Sequence, residues 1–316
     1  MIQWCEVDGY CVDLSFNEEG NLLLATTVSN GAYLMDYAKG GSVLRSAATF
    51  TSPMVEDKDV LCGILHSEGK DAAFGSGCGA FLNFDVETKK LKYRNHATAP
   101  LMSMTLFEEV LAATTPEGIM FADLRQPETR PWSISAPGVC NASAILPGSH
   151  SIALAMGSCV LLMDTRRAST PFAIRQLEDQ ITSLSANAVM KGTLACGTVS
   201  GRIATLRYIT SSAKEAVYSL NHEVRTPICS VSLCSNSAVA CGTELGELVM
   251  LPLNERDTKT TRWRLREHRT AAVASGGSDP HESIVASAFV ESSYLKGIHK
   301  SSEDLISKIS VFPHQF

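Results

Sequence analysis

One pattern constrains this chain more than any other: an alanine, a glycine six residues on, and an aspartate five beyond that. It recurs as ATTVSNGAYLMD from Ala25, AFGSGCGAFLNF from Ala73, AATTPEGIMFAD from Ala112, ALAMGSCVLLMD from Ala153, ACGTVSGRIATL from Ala195 and ACGTELGELVML from Ala240. In the fourth copy Cys159 stands where the glycine belongs. In the second, Asp85 arrives one residue late, a slip that a β-bulge is expected to absorb. The last two copies end on Leu206 and Leu251 instead of an aspartate. Successive alanines lie 39 to 48 residues apart. That interval is close to the roughly 40–45 residues of a four-stranded propeller blade.

Each copy reads as strand, tight turn, strand. An alternating segment ends in small residues, suited to a crowded centre. Glycine then supplies the turn angles at Gly31, Gly79, Gly118, Gly201 and Gly246. A second alternating segment follows, as in GIMFAD and VLLMDT. An apolar strand precedes every copy: YCVDLSF, VLCGILH, LMSMTLF, CNASAIL, ITSLSAN and ICSVSLC. A seventh unit fits the tail, with TAAVASGG, SIVASAFV and SKISVFP as its strands and ESSYLKGIHKSSEDLI as an exposed polar insertion. Helical periodicity is nowhere sustained, which excludes folds that need a helix after each strand. The expected fold is all-β: a single seven-bladed β-propeller of the WD-repeat kind over residues 1–316, with its two ends close together. Aspartates 36, 123 and 164 take the place of the aspartate in the WD dipeptide, whose tryptophan is replaced throughout.

The chemistry-bearing residues do not gather into a catalytic or metal-binding motif. The net charge is −6, against the basic excess of a protein that grips phosphate backbones, so direct nucleic-acid binding is not expected. No apolar run reaches membrane-spanning length, and the first residues lack the basic-then-apolar order of a secretory signal. Ten cysteines occur without a C-x-x-C pair. Most sit in apolar runs, as Cys196 and Cys241 do, and read as buried reduced thiols. Eight scattered histidines form no ligand set, so neither metal nor cofactor is expected. GSGCGAF around Gly77 reads as a strand-to-strand turn, not a phosphate loop. The basic stretch KTTRWRLREHR at 259–269 reads as a solvated outer strand, and Trp4 and Trp132 as blade-packing residues. Channel-facing positions read as mostly Ala, Gly, Cys and Thr, which gives an enzyme nothing to work with.

Beyond the repeat itself, several segments resemble the Bub-three/Rae-one (Gle-two) family of propellers. GTLACGTVSGRIATLRY at 192–208 is similar to the glycine-arginine segment of that family's fifth blade. TPICSVSLCSNSAVACGTELGELVML resembles its sixth blade and IVASAFVESSYLKGIHKSSEDLISKISVF its last. MFADLRQPETRP and LLMDTRRASTP match the aspartate-x-arginine ends of its third and fourth. The resemblance implies a non-enzymatic adaptor that grips a glutamate-bearing Gle-two-binding-sequence motif across one face, with propeller arginines on the motif's glutamates. It places Arg202, after Gly201, as the anchoring fork.

The family's cationic run falls on Ser219 to Glu223, where only His222 is retained. Leu220 and Glu223 replace the cations that would meet a phosphorylated kinetochore scaffold, and Arg225 is the nearest substitute. Family tryptophans on the same face fall on Val28 and Thr115. The implied partner-binding set is therefore Gly201, Arg202, His222, Arg225 and Thr115. The implied role is a spindle-checkpoint adaptor for a checkpoint kinase, a monomeric propeller within a complex in the nucleus and at kinetochores with a cytoplasmic pool. Its siblings are an mRNA-export propeller on a nucleoporin and a generic scaffold or ubiquitin-ligase substrate receptor.

Overall fold

Alternating apolar segments joined by tight turns pair with their neighbours, and the computed structural model shows seven four-stranded antiparallel sheets. It describes residues 5–17, 19–28, 31–37, 44–50, 59–107, 109–126, 129, 131–135, 138–147, 150–165, 171–187, 189–190, 192–208, 216–219, 226–234, 238–253, 260–264, 268–276, 282–291 and 306–315. Blade one comprises β2 (Tyr10–Phe16), β3 (Leu22–Val28), β4 (Gly31–Tyr37) and β5 (Leu44–Phe50). Blade two follows as β6 (Val60–His66), β7 (Asp71–Ser76), β8 (Ala80–Asp85) and β9 (Leu91–His96). Blade three is β10 (Ser103–Phe107), β11 (Val110–Thr115), β12 (Gly118–Asp123) and β13 (Trp132–Ser135), and blade four is β14 (Ala142–Leu146), β15 (Ser151–Met156), β16 (Cys159–Asp164) and β17 (Ala173–Gln176). Blade five holds β18 (Ile181–Ala186), β19 (Thr193–Thr198), β20 (Arg202–Arg207) and β21 (Ala216–Ser219), and blade six β22 (Ile228–Leu233), β23 (Ala238–Thr243), β24 (Glu247–Pro252) and β25 (Thr261–Arg264).

Blade seven is assembled from both ends of the chain. β26 (His268–Gly276), β27 (Glu282–Glu291) and β28 (Ile306–Gln315) are completed by β1 (Cys5–Asp8), which pairs Cys5 with Ile309 and Asp8 with Ile306. The three late strands match the expected seventh unit; the contribution of the first strand was not anticipated. Ser307 fastens the crossing, accepting from the Cys11 amide at 2.8 Å and donating to the Gly9 carbonyl at 2.7 Å. Among the described residues the only helical turn is the 3-10 segment Ser67–Gly69.

The core is divided among the seams. Seven clusters of buried apolar side chains each join two adjacent blades. At the first seam Phe50, Phe74 and Phe84 lie 5.2 to 5.9 Å apart, centroid to centroid, as tilted rings. Five of the six marker alanines point forward into the next seam: Ala73, Ala112, Ala153, Ala195 and Ala240. Ala25 does not. It packs back against blade seven while Leu24 faces blade two, because Leu24 is the residue in register with the other markers. A one-residue step along a strand turns a side chain to the opposite face.

Two further expectations change. The extra residue before Asp85 is taken up in the β7–β8 turn and not by a bulge, since those two strands pair without a register shift from Asp71–Asp85 to Gly75–Phe81. The alanine strands are also not innermost. The central channel, about 490 Å³, is lined by the first strand of each blade, and its wall is rich in serine: Ser15, Ser103, Ser143, Ser185, Ser232 and Ser275 among others. Where inner strands of neighbouring blades converge, their backbones do not form a common ladder, and small hydroxyls bridge the gap. Ser185 accepts from the Leu233 amide at 2.9 Å, Ser230 from the Val273 amide at 3.1 Å, and Ser232 and Ser275 share a 2.8 Å bond. Asp13 does the same between blades one and two, with the Gly63 amide at 3.1 Å.

Candidate functional site

In an up-and-down sheet, the turn between the second and third strands opens on the same face as the crossing to the next blade. The turns holding Cys78, Thr115–Gly118, Gly157–Ser158, Val199–Arg202 and Glu244–Gly246 therefore share one face with the interblade crossings. All five turn glycines named from the sequence have positive φ, from 75° at Gly246 to 150° at Gly118. In blade four, Gly157 with φ 58° takes over the role where Cys159 breaks the pattern.

Arg202 opens β20 on this face, at the rim of a groove of about 390 Å³ between blades four and five. Leu177, Glu178, Asp179 and Thr198 contribute to the same groove. The backbone here is held tightly. The Thr198 hydroxyl accepts from the Arg202 amide and donates to its carbonyl, both at 3.0 Å. Asp179 accepts from the Ser200 amide at 2.7 Å. Burial raises the Asp179 carboxyl, but donors from Ser200, Thr198 and Gln180 outweigh it and hold the group below its usual value. Arg202 Nη1 meets Glu178 Oε2 at 3.0 Å; the arginine side chain is 35% exposed and the glutamate 89%. The fork therefore stands in a pair whose other half is almost wholly in solvent.

The remaining carried-over residues divide. Gly201 is structural: a Cβ there would lie 2.5 Å from the Thr226 carbonyl oxygen, so the turn of blade five tucks under the crossing to blade six. Thr115 is buried in its own turn, donating to the Gly118 carbonyl at 3.4 Å and accepting from the Glu117 amide at 3.2 Å. Its groove, between blades two and three, is separate from that of Arg202. His222 and Arg225, with Leu220 and Glu223, lie outside the described residues.

The aspartates of the repeat work on the opposite face, closing the turns into the outer strands. Asp123 takes the Arg125 guanidinium at 2.9 and 2.8 Å and its amide at 3.0 Å. Asp85 accepts the Thr88 amide and hydroxyl, and these with Lys92 hold its carboxyl down at about 2. Trp132 packs by one face only: it stacks on the core ring of Phe121 at 5.4 Å and stays 44% exposed on the outer strand. In the basic stretch, Trp263 turns inward onto Phe312 at 4.8 Å while Arg262 and Arg264 face out from the outer strand, as expected. Trp4 lies outside the described residues. Among the described residues Asp13 is the one ionisable side chain on the channel wall. Among the described residues, no three histidine, cysteine or acidic side chains converge as a metal site would require, and no helix is long and apolar enough to cross a membrane.

With this geometry in view, comparison with known proteins places the architecture. No protein-family model matches the chain, and no curated protein matches it. Among solved structures it is similar to the β-propeller domain of Myceliophteria thermophila Cps50 (Swd1), with a TM-score of 0.76 over 99% of each chain at 14% identity. At that identity the likeness is one of fold. The molecule is a WD-repeat-like seven-bladed β-propeller, an architecture typical of protein-binding scaffolds.

Proposed function

We propose that this propeller is a non-enzymatic adaptor that takes a glutamate-bearing segment of a partner protein across its turn face, anchored at Arg202. One observation carries the reading: a half-buried guanidinium at a groove rim whose carboxylate partner, Glu178, is exposed and therefore exchangeable. A surface pair of this kind is worth only about 0–1 kcal/mol. A partner's carboxylate that leaves solvent on docking forms a stronger pair with the same fork. Within this reading, the family resemblance of blades five to seven favours a checkpoint kinase as the bearer of the segment and the nucleus and kinetochore as its place of work. The nucleoporin-bound export propeller is the sibling role, and a generic scaffold or ubiquitin-ligase substrate receptor the broader alternative.

The test is titration calorimetry with a glutamate-bearing segment, alongside affinity capture from mitotic cells to identify its bearer. Arg202→Glu should weaken binding more than about tenfold while thermal stability barely changes, because surface substitutions usually stay within about 0.5 kcal/mol. Glu178→Gln removes the internal competitor and should tighten binding. If both variants bind like the wild type, the anchor lies elsewhere.

A further inference from the structure

Cys78 differs from the other nine cysteines. None of the ten forms a disulfide, and Cys78 is the one exposed among them. Burial pushes up the thiols of Cys11, Cys62, Cys140, Cys229, Cys234 and Cys241. Cys78 instead sits in the β7–β8 turn between two groups able to serve a sulfur anion. His96 Nε2 lies 3.8 Å from its Sγ, and Ser76 Oγ lies at 3.3 Å.

The orientation of both groups is fixed from behind. His96 Nδ1 is 2.7 Å from the Ala97 carbonyl oxygen. A carbonyl only accepts, so Nδ1 carries the proton, and in the neutral ring Nε2 is left as a base facing the thiol. The Ser76 hydroxyl, 2% exposed, already accepts from the Ala80 amide at 2.9 Å, which leaves its own proton to be directed at the sulfur. A nucleophile, a base and a group that orients the base form the arrangement that activates thiols.

His96 also lines the groove of about 360 Å³ between blades two and three, together with Asn95, Thr115, Glu117, Ser133 and Ser135. That size falls within the range of small-ligand sites, about 300–1,000 Å³. Its wall sets amide, hydroxyl and carboxylate groups beside the apolar Ile119, Met120 and Ile134, which suits a small peptide-like occupant with an amino group for Glu117.

We propose that Cys78 is a modification site: with His96 as its base, it undergoes exchange with a low-molecular-weight peptide disulfide and lodges the attached peptide in this groove. The thiol proton passes to His96 Nε2. The thiolate attacks one sulfur of the disulfide, whose S–S bond breaks as the new one forms. The departing thiolate takes the proton back from His96, so Cys78 is oxidised and the released thiol reduced. The groove lies two blades from Arg202, and the proposal stands or falls apart from the adaptor reading.

The experiment treats the intact chain with glutathione disulfide near neutral pH, maps adducts by mass spectrometry, and follows iodoacetamide alkylation of each cysteine against pH. One glutathionyl group is expected on Cys78, removable by a reducing agent, with none on Cys159. His96→Gln keeps a donor for the Ala97 carbonyl but no base. It should slow Cys78 alkylation near neutral pH by about tenfold or more. Glu117→Gln should leave alkylation unchanged and slow adduct formation. Alkylation no faster than that of a cysteine in a short peptide, or an unchanged rate in His96→Gln, overturns the base. Rapid alkylation without a glutathionyl adduct overturns the groove's role.

Discussion

Two glycines show how differently one residue type is used in the same kind of turn. Gly201 has φ 84° and a crossing backbone where its Cβ would be, whereas Gly157 has φ 58° and open space around it. Gly201→Ala should therefore cost about 2–4 kcal/mol, steric conflict added to a strained angle. Gly157→Ala should cost only about 1–2 kcal/mol, the left-handed conformation alone. Urea unfolding of both variants checks this, and equal losses would show that the crossing yields to the new methyl group. Asp13 presents a different problem. It is half-buried on the channel wall, and that burial pushes its carboxyl up to about 7, against the pull of the Gly63 and Leu14 amides. Contact with channel water works in the same sense as the amides. Since the folded value stands above the unfolded one of about 3.9, this group's contribution is complete in acid and is lost as pH rises through about 7. Asp13→Asn cannot satisfy both amides and should cost about 1–3 kcal/mol. Its deficit relative to the wild type should shrink from pH 5 to pH 8. A deficit that grows with pH would mean that the amides, not burial, govern the carboxyl.

At the scale of the strand, the sequence was legible where a signal was local. Alternation with a turn glycine at fixed spacing located the second and third strands of six blades, and it located the late strands of the seventh. What stayed hidden depends on juxtaposition. Alternation shows that a strand has two faces but not which strand lines the axis, so the serine wall reads in the sequence as mostly alanine, glycine, cysteine and threonine. The forward-facing residue of blade one, Leu24, was masked by an alanine next to it. Glu178 reaches Arg202 from a crossing 24 residues earlier, and His96 reaches Cys78 from 18 residues later. No spacing rule marks either pair. β1 was the largest omission, since four residues of CEVD carry no period and their partner lies some 300 residues on. Its removal tests its weight. A chain lacking residues 1–8 loses the burial of Val7 and leaves β28 as an open edge. It should melt at least several degrees lower or aggregate. A peptide spanning those residues, added in trans, should restore the melt; an unchanged melting temperature without it would show that three strands suffice for the blade.

Across the whole molecule, stability resides in seams between blades: among the described residues every buried apolar cluster spans two of them. Each cluster draws on two neighbours, so loss of one blade deprives two seams. The ring should unfold as one cooperative unit, with fluorescence and circular dichroism reporting the same midpoint. Sharing blade seven between the two ends of the chain also has a consequence in time. β1 is made some 300 residues before its partner β28. At a synthesis rate of about 5–20 residues per second, β1 waits some 15–60 s before its partner exists. Through that interval the blades already made form an open arc with apolar flanks and unpaired edges. Closure waits until β28 has been made, and whatever shields those edges until then decides how much of the protein arrives folded.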